Sequence, residues 1–401
     1  MRRLLPVPLV TLILVCALYG PPASAEDRRA QYPFFLKDSY FEIDAGYIEY
    51  PFSSRELQPG FVVEAVHVPH AAARVVLLGH NFSRYLSAQI SYARPVEWVK
   101  YEAVNGQPAK RSVWMNIAGA TMRGTVPLGD RLSVFGEGGL GIVTRSGFAV
   151  DGVPAVTDAS FATVLLGAGV KYRLTRSWDL GATFSFTPEK PSVQQPHTGL
   201  LSGGFTYNMR PYSNAEVRAN GDPGDRFPEH LLQLGCATGT FGDGVNAFVS
   251  TGPVPIFWGG LAKVHRGLSL RYERNLFHTR RIFSLDWGAS LAYWQSTLER
   301  RRFATAAVYP VLRFTPLRTK PLDAYFAYSL AGPAWISRVT IDGEETGRHF
   351  TFQDFMAVGA YIGRSRRLNV ELGIAHFSNG NLFPRNAGVA VPLTISIGRT
   401  F

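Results

Sequence analysis

Cysteine is nearly absent. The chain holds two in 401 residues, Cys16 and Cys236. Cys16 falls in a stretch that reads as a removable leader, so the mature chain keeps one cysteine and forms no intrachain disulfide. After residue 25 no run of 18 apolar residues occurs, which excludes a later transmembrane helix. His80, His230, His265, His278 and His349 are scattered and stand in no metal-ligand spacing, and no motif implies a metal or organic cofactor. "GEGGLG" (136–141) has the glycines of a nucleotide loop, but it lies inside an alternating segment with no helix after it. Charged residues are sparse, at 18 %.

The leader is "MRRLLPVPLVTLILVCALYGPPASA", residues 1–25. Arg2 and Arg3 form its basic start, Leu9 to Leu18 its apolar core, and Ala23-Ser24-Ala25 a small-residue cleavage site. These are the parts of a secretory signal peptide. Val15 is too large for the residue before a lipidated Cys16. Removing the leader lowers the formal charge from +11 to +9. A basic exported protein points to anionic lipid or lipopolysaccharide and to the bilayer, rather than to nucleic acid.

What is abundant is apolar residues at 46 %, aromatics at 13 %, and 40 glycines. They alternate with period two, the signature of strands with one apolar face. Phe283, Leu285, Trp287, Ala289, Leu291 and Tyr293 share one face, and Ser284, Asp286, Gly288, Ser290 and Ala292 the other. Val391, Leu393, Ile395 and Ile397 form a last apolar face, on which Phe401 closes the chain. The segments run about 10 residues or more, enough to cross a bilayer when tilted. Aromatics gather near their ends, as interfacial girdles require. A sheet in lipid must close on itself. The pattern therefore predicts an all-β outer-membrane protein made of transmembrane antiparallel β-barrels.

The predicted strands fall in two groups. The first covers about 39–50, 61–68, 75–94 (unbroken or with one break), 110–127, 131–145, 160–174, 178–187 and 198–210. The second covers about 231–250, 266–276, 281–297, 304–316, 322–334, 354–364, 368–378 and 391–401. Between them "PYSNAEVRANGDPGDRFPEH" (211–230) is polar, Pro/Gly-rich and without alternation, so it reads as a linker. The organisation is a signal peptide (1–25), an N-terminal barrel (26–210), the linker and a C-terminal barrel (231–401), in short two tandem eight-stranded barrels. A single barrel of about 16 strands is the rival arrangement. Inward faces read as mostly Gly, Ser, Ala and Thr, which suits narrow barrels better than a porin. Glu137 alternates inward, where a buried pair with Arg or Lys is expected.

One strand stands out. In "LNVELGIAHFS" (368–378), Leu372, Ile374, His376 and Ser378 share a face, and Glu371, Gly373, Ala375 and Phe377 the other. With the chain end and the short turn "RSRR" (364–367) on the periplasmic side, His376 and Ser378 lie on the lipid side near the outer leaflet. An ionisable group there costs free energy and points to function. A His beside a Ser on one strand face is suited to take the hydroxyl proton. The next loop adds Gly380 and Asn386 as candidate oxyanion donors.

"HFSN" (376–379), then a loop, then an Asn-x-Gly turn "NAG" (386–388), then a last strand ending in Phe, resembles the outer-membrane lipid A 3-O-deacylases. The resemblance is specific over 368–401 and extends by strand number and length over 231–401. The N-terminal half resembles only a generic small outer-membrane barrel. The resemblance implies an esterase that removes the acyl chain at position 3 of lipid A. It makes Ser378 the nucleophile and His376 the general base, with Asn386 binding the oxyanion and Asn379 supporting the site. The family's acid, a Glu fourteen residues beyond the His, is replaced by Ala390. Glu371 lies on the wrong face to substitute. Asp354 shares the His376 face in one strand register and not in a register shifted by one. The alternative reading is a structural or lipopolysaccharide-binding barrel without efficient catalysis. Oligomeric state is left open.

Overall fold

The computed structural model describes residues 29–221, 226–239, 259–380 and 385–401. The leader, residues 240–250 of one expected strand, and part of the linker lie outside the described residues. Two closed, eight-stranded antiparallel barrels account for most of the rest.

The first is built from strands Ser39–Glu49, Ala71–Asn81, Leu86–Pro95, Arg111–Pro127, Leu132–Ser146, Ala159–Arg173, Trp178–Thr187 and Thr198–Met209. It closes where Arg111–Pro127 pairs with Leu132–Ser146. The strand number agrees with expectation, but the members differ. The segment expected as 61–68 yields only Ala65–His67, which pairs with Val99–Glu102 outside the ring. Of the two forms expected for 75–94, the broken one is found, as two strands. It breaks at 82–85, where the Ser83 hydroxyl accepts from the backbone N–H groups of Tyr85 and Leu86 and turns the chain.

The second barrel comprises His230–Thr238, Ala262–His278, Phe283–Ser296, Arg302–Arg318, Leu322–Ile336, Phe350–Ile362, Leu368–Ser378 and Val389–Thr400, in that order around the ring. The first of these is short. Above its end Ala262 and Lys263 pair in parallel with Val389 and Ala390. Turns at 279–282, 319–321 and 363–367 are tight, whereas the connection 337–349 at the other end is long. Outer-membrane barrels put short turns in the periplasm and long loops outside. The ends of this barrel's chain therefore lie at the periplasmic face.

The interiors are not lined mainly by small residues. Each is filled by buried ion clusters, because an inward Arg needs carboxylates once water is excluded. In the first barrel Arg74 meets Glu42 at 2.5 Å and Asp44 at 2.6 Å, Arg123 meets Glu137 at 2.8 Å, and Lys171 meets Glu42 at 2.8 Å. In the second, Arg313 joins Glu273 at 2.5 Å and also Asp286, and Arg271 pairs with Glu371. Above these ions, Trp294, Phe303, Ile336, Ile341, Phe377 and Val391 pack as an apolar plug. Such filled interiors are the expected state of eight-stranded barrels.

The linker carries a helix, Asn214–Asn220. Ser213 and Glu216 form a reciprocal capping box at its start, a signal that outweighed the surrounding polarity. Where the barrels meet, Tyr32 stacks on Phe277 with ring centroids 4.4 Å apart, and its hydroxyl bonds Tyr207 at 2.6 Å. Phe277, Phe283, Leu285 and Leu312 complete this contact. They lie on and beside strand Phe283–Ser296, four places around the ring from Leu368–Ser378. The first barrel thus docks on the wall opposite His376 and leaves the His376 wall open.

Candidate active site

The turn Gly363–Arg367 sets the register of the two strands that carry the site. Asp354 lies directly across from His376, and Phe352 across from Ser378. Directly paired residues in a sheet point to the same face with Cβ atoms about 5 Å apart. Gln353, Phe355 and Phe377 fill the interior, so Asp354, His376 and Ser378 face outward. Of the two registers compatible with the sequence, this one brings the acid to the histidine. Asp354 Oδ1 is 3.0 Å from His376 Nδ1. Glu371 points inward, to Arg271 and to the Tyr325 hydroxyl at 2.8 Å.

On its other side His376 pairs with Ala390, which in turn pairs with Lys263. Lys263, Ala390, His376 and Asp354 therefore form one lateral row across four strands. The histidine is flanked by two neighbouring positions, one a carboxylate and one a methyl group.

Although outward-facing, the pair is not bathed in lipid. His376 and Asp354 are only 3 % and 4 % exposed. The extracellular segments cover them. A Cβ on Gly388 would stand 2.9 Å from His376 Nε2, and Gly388 has φ +68, so that residue lies against the ring and needs glycine's conformational freedom. Ser378 follows on the same face and is half-buried. Asp354 Oδ2 is buried without a hydrogen-bond partner among the described residues.

Side chains tie down the described residues that follow Ser378. The Asn379 backbone N–H donates to Asn386 Oδ1 at 2.9 Å, and Asn379 Nδ2 donates to the Thr346 carbonyl at 3.2 Å. Gly380 sits at φ +61. From the neighbouring loop, a small hairpin of Thr340–Ile341 and Glu344–Glu345 folds against these residues. Arg385 pairs with Glu345, whose carbonyl accepts from Ala387 N–H at 3.0 Å. Asp342 holds the hairpin's other side. Burial alone would raise its pKa, but backbone N–H groups of Leu298 and Glu299 and the Ser296 hydroxyl hold the carboxyl below its usual range.

Two features were missed in the sequence. Val391 was expected to share a face with Ile395 and instead points into the core, because a bulge intervenes. Gly373 pairs with Thr394 but Ala375 pairs with Val391, leaving one extra residue around Pro392. A proline inside a strand was the available signal. The hairpin at 340–345 had no alternation to reveal it.

These features define the class: a small, plugged, eight-stranded outer-membrane barrel with a covered acid–histidine pair and a serine on its outer wall, preceded by a second barrel of the same size. Residues 266–391 match the family model described as "Lipid A 3-O-deacylase (PagL)", and residues 70–208 match "Outer membrane protein beta-barrel domain". Similar solved structures include the outer-membrane enzyme PagL, at 15 % identity over 43 % of this chain and 99 % of that one, with a TM-score of 0.30. Neisserial surface protein A aligns at 16 % identity over 43 % and 97 %, with a TM-score of 0.29. The attachment protein Ail of Yersinia pestis aligns at 13 % identity over 42 % and 99 %, with a TM-score of 0.27. No protein with a curated description matches the chain. The chain is an outer-membrane β-barrel protein whose C-terminal half resembles the lipid A deacylases.

Proposed function

We propose that the C-terminal barrel is a serine esterase that removes the ester-linked acyl chain at position 3 of lipid A. The observation that carries this reading is the 3.0 Å contact between Asp354 Oδ1 and His376 Nδ1, buried beside Ser378 on the wall left open to the outer leaflet. Asp354 takes the place of the acid absent at Ala390, from the opposite flanking strand. It favours the tautomer in which Nδ1 bears the proton and Nε2 is the basic nitrogen.

In the first step His376 Nε2 takes the Ser378 hydroxyl proton as Oγ attacks the ester carbonyl carbon. The carbonyl becomes an oxyanion, held by the Asn386 side-chain NH2 and the Gly380 backbone N–H. Collapse breaks the bond to the sugar oxygen, which leaves with the proton from His376. Water, deprotonated by the same nitrogen, then attacks the acyl-serine and releases a 3-hydroxy fatty acid. The charge of the transient imidazolium is compensated by Asp354 in a site from which water is largely excluded.

The domain reading attached to this proposal is a cleaved leader (1–25), an accessory barrel (26–210), a linker (211–230) and the esterase (231–401). The test is mass spectrometry of lipid A from Gram-negative cells with and without the protein. Expression should remove one 3-linked hydroxyacyl mass, and Ser378→Ala should abolish the change. Unaltered lipid A at high expression would overturn the proposal and favour a structural barrel that keeps the esterase scaffold.

A further inference from the structure

We infer that the periplasmic rim of the second barrel is a binding surface for anionic phospholipid headgroups of the inner leaflet. This is independent of the esterase reading and rests on a different end of the molecule. The three tight turns, 279–282, 319–321 and 363–367, carry Arg280, Arg281, Lys320, Arg364, Arg366 and Arg367 and no acidic residue. The extracellular loops 297–301 and 337–349 mix both signs, with Glu299, Asp342, Glu344 and Glu345 beside their arginines. Cations therefore outnumber acids at the turns of this end, where Asp323 and Glu229 are already paired with arginines.

One of these cations is already used: Arg366 holds Asp323 Oδ1 at 2.9 Å. Arg280, Arg281, Lys320, Arg364 and Arg367 are exposed and form no ion pair among the described residues. Arg226, Arg280, Arg281 and Arg318 line one cavity of about 610 Å³, within the range of small-molecule sites; Arg318 also pairs with Asp323 at 2.6 Å, so the charge in excess is that of the other three. Guanidinium groups gathered around a common space repel one another, and a phosphate relieves that repulsion while accepting paired N–H donors.

The occupant is identified by what lies next to the cations. Ile282 follows Arg281, Ile362 precedes the Gly363–Arg367 turn and Leu368 follows it, all exposed on the lipid-facing wall. Leu317, also exposed, precedes Arg318. Cations directly above exposed aliphatics fit an amphiphile with an anionic head and acyl chains. Lipopolysaccharide is excluded by side, because the long loops mark the opposite end as extracellular.

The full chain would be reconstituted in nanodiscs of equal phosphatidylethanolamine and phosphatidylglycerol, and its retained lipids counted by native mass spectrometry. Phosphatidylglycerol should be retained preferentially. Each surface cation contributes roughly fivefold, so the variant R280Q/R281Q/R364Q/R367Q should lose at least tenfold in that preference. R300Q/R301Q, at the other end, should keep it. Equal retention of the two lipids by the unaltered protein, or preference undiminished in the fourfold variant, would overturn the inference. If the fourfold variant fails to fold, the unaltered protein decides the matter. Its preference should fall between 50 and 500 mM salt, and a preference indifferent to salt would contradict a charge-based site.

Discussion

Replacing Asp354 with Asn tests whether the acid has moved from one flanking strand to the other. Asp354 and Ala390 pair with His376 from opposite sides, so the carboxylate can be withdrawn from one side and supplied from the other. Asn keeps the volume but removes the charge and allows the wrong tautomer. In serine hydrolases with a full triad that change costs about 10⁴-fold in kcat. At about 1.4 kcal/mol per decade, a loss of 10³–10⁴ is about 4 to 5.5 kcal/mol of transition-state stabilisation. The assay is release of 3-hydroxy fatty acid from lipid A by purified protein in mixed micelles, followed by mass spectrometry. Asp354→Asn should lower kcat by that factor with KM little changed. Adding Ala390→Glu to it should restore at least tenfold, because a Glu at 390 reaches the same ring from the neighbouring strand. Activity of Asp354→Asn within threefold of the parent would refute the role of Asp354. A deep loss without rescue would refute the equivalence of the two flanking positions.

Gly388→Ala places a methyl group 2.9 Å from His376 Nε2 at φ +68. It should cut the rate roughly 100-fold while the folded barrel still migrates as a compact species on unheated gels, since small displacements at a reacting group are costly. Glu371→Ala removes the carboxylate paired with Arg271 in the buried interior. It should destabilise the second barrel by about 3–5 kcal/mol, read as a lower urea midpoint in lipid vesicles. Arg385→Ala removes only an exposed pair with Glu345. It should leave the urea midpoint essentially unchanged, because exposed pairs contribute little, and a clear drop would show that Arg385 and the hairpin are held mainly by that pair.

The barrels themselves were plain in the sequence because period two is a property of the chain alone. Phe283 through Tyr293 and the strand carrying His376 announce their faces without any knowledge of neighbours. What the chain alone withholds is register. Whether Asp354 meets His376 or points to the core depends on one residue at the turn 363–367, and no local pattern decides it. The same limit explains the bulge near Pro392, which is defined only against the partner strand. Interior charge was underestimated for a related reason. Arg313, Glu273 and Asp286 are far apart in sequence, and each looks like a single exception to an apolar or small-residue face until the ring brings them together. The segment 61–68 shows the converse error. Its alternating residues form a strand beside the ring rather than in it, because alternation reports a two-faced strand and not its partner.

One comparison tests the role of Ser378 most directly. Purified parent protein and Ser378→Ala are incubated with lipid A in mixed micelles, and free 3-hydroxy fatty acid is measured over time. Steady release by the parent and none above background by the variant are expected. No release by the parent, or equal release by the serine-free protein, would contradict that role.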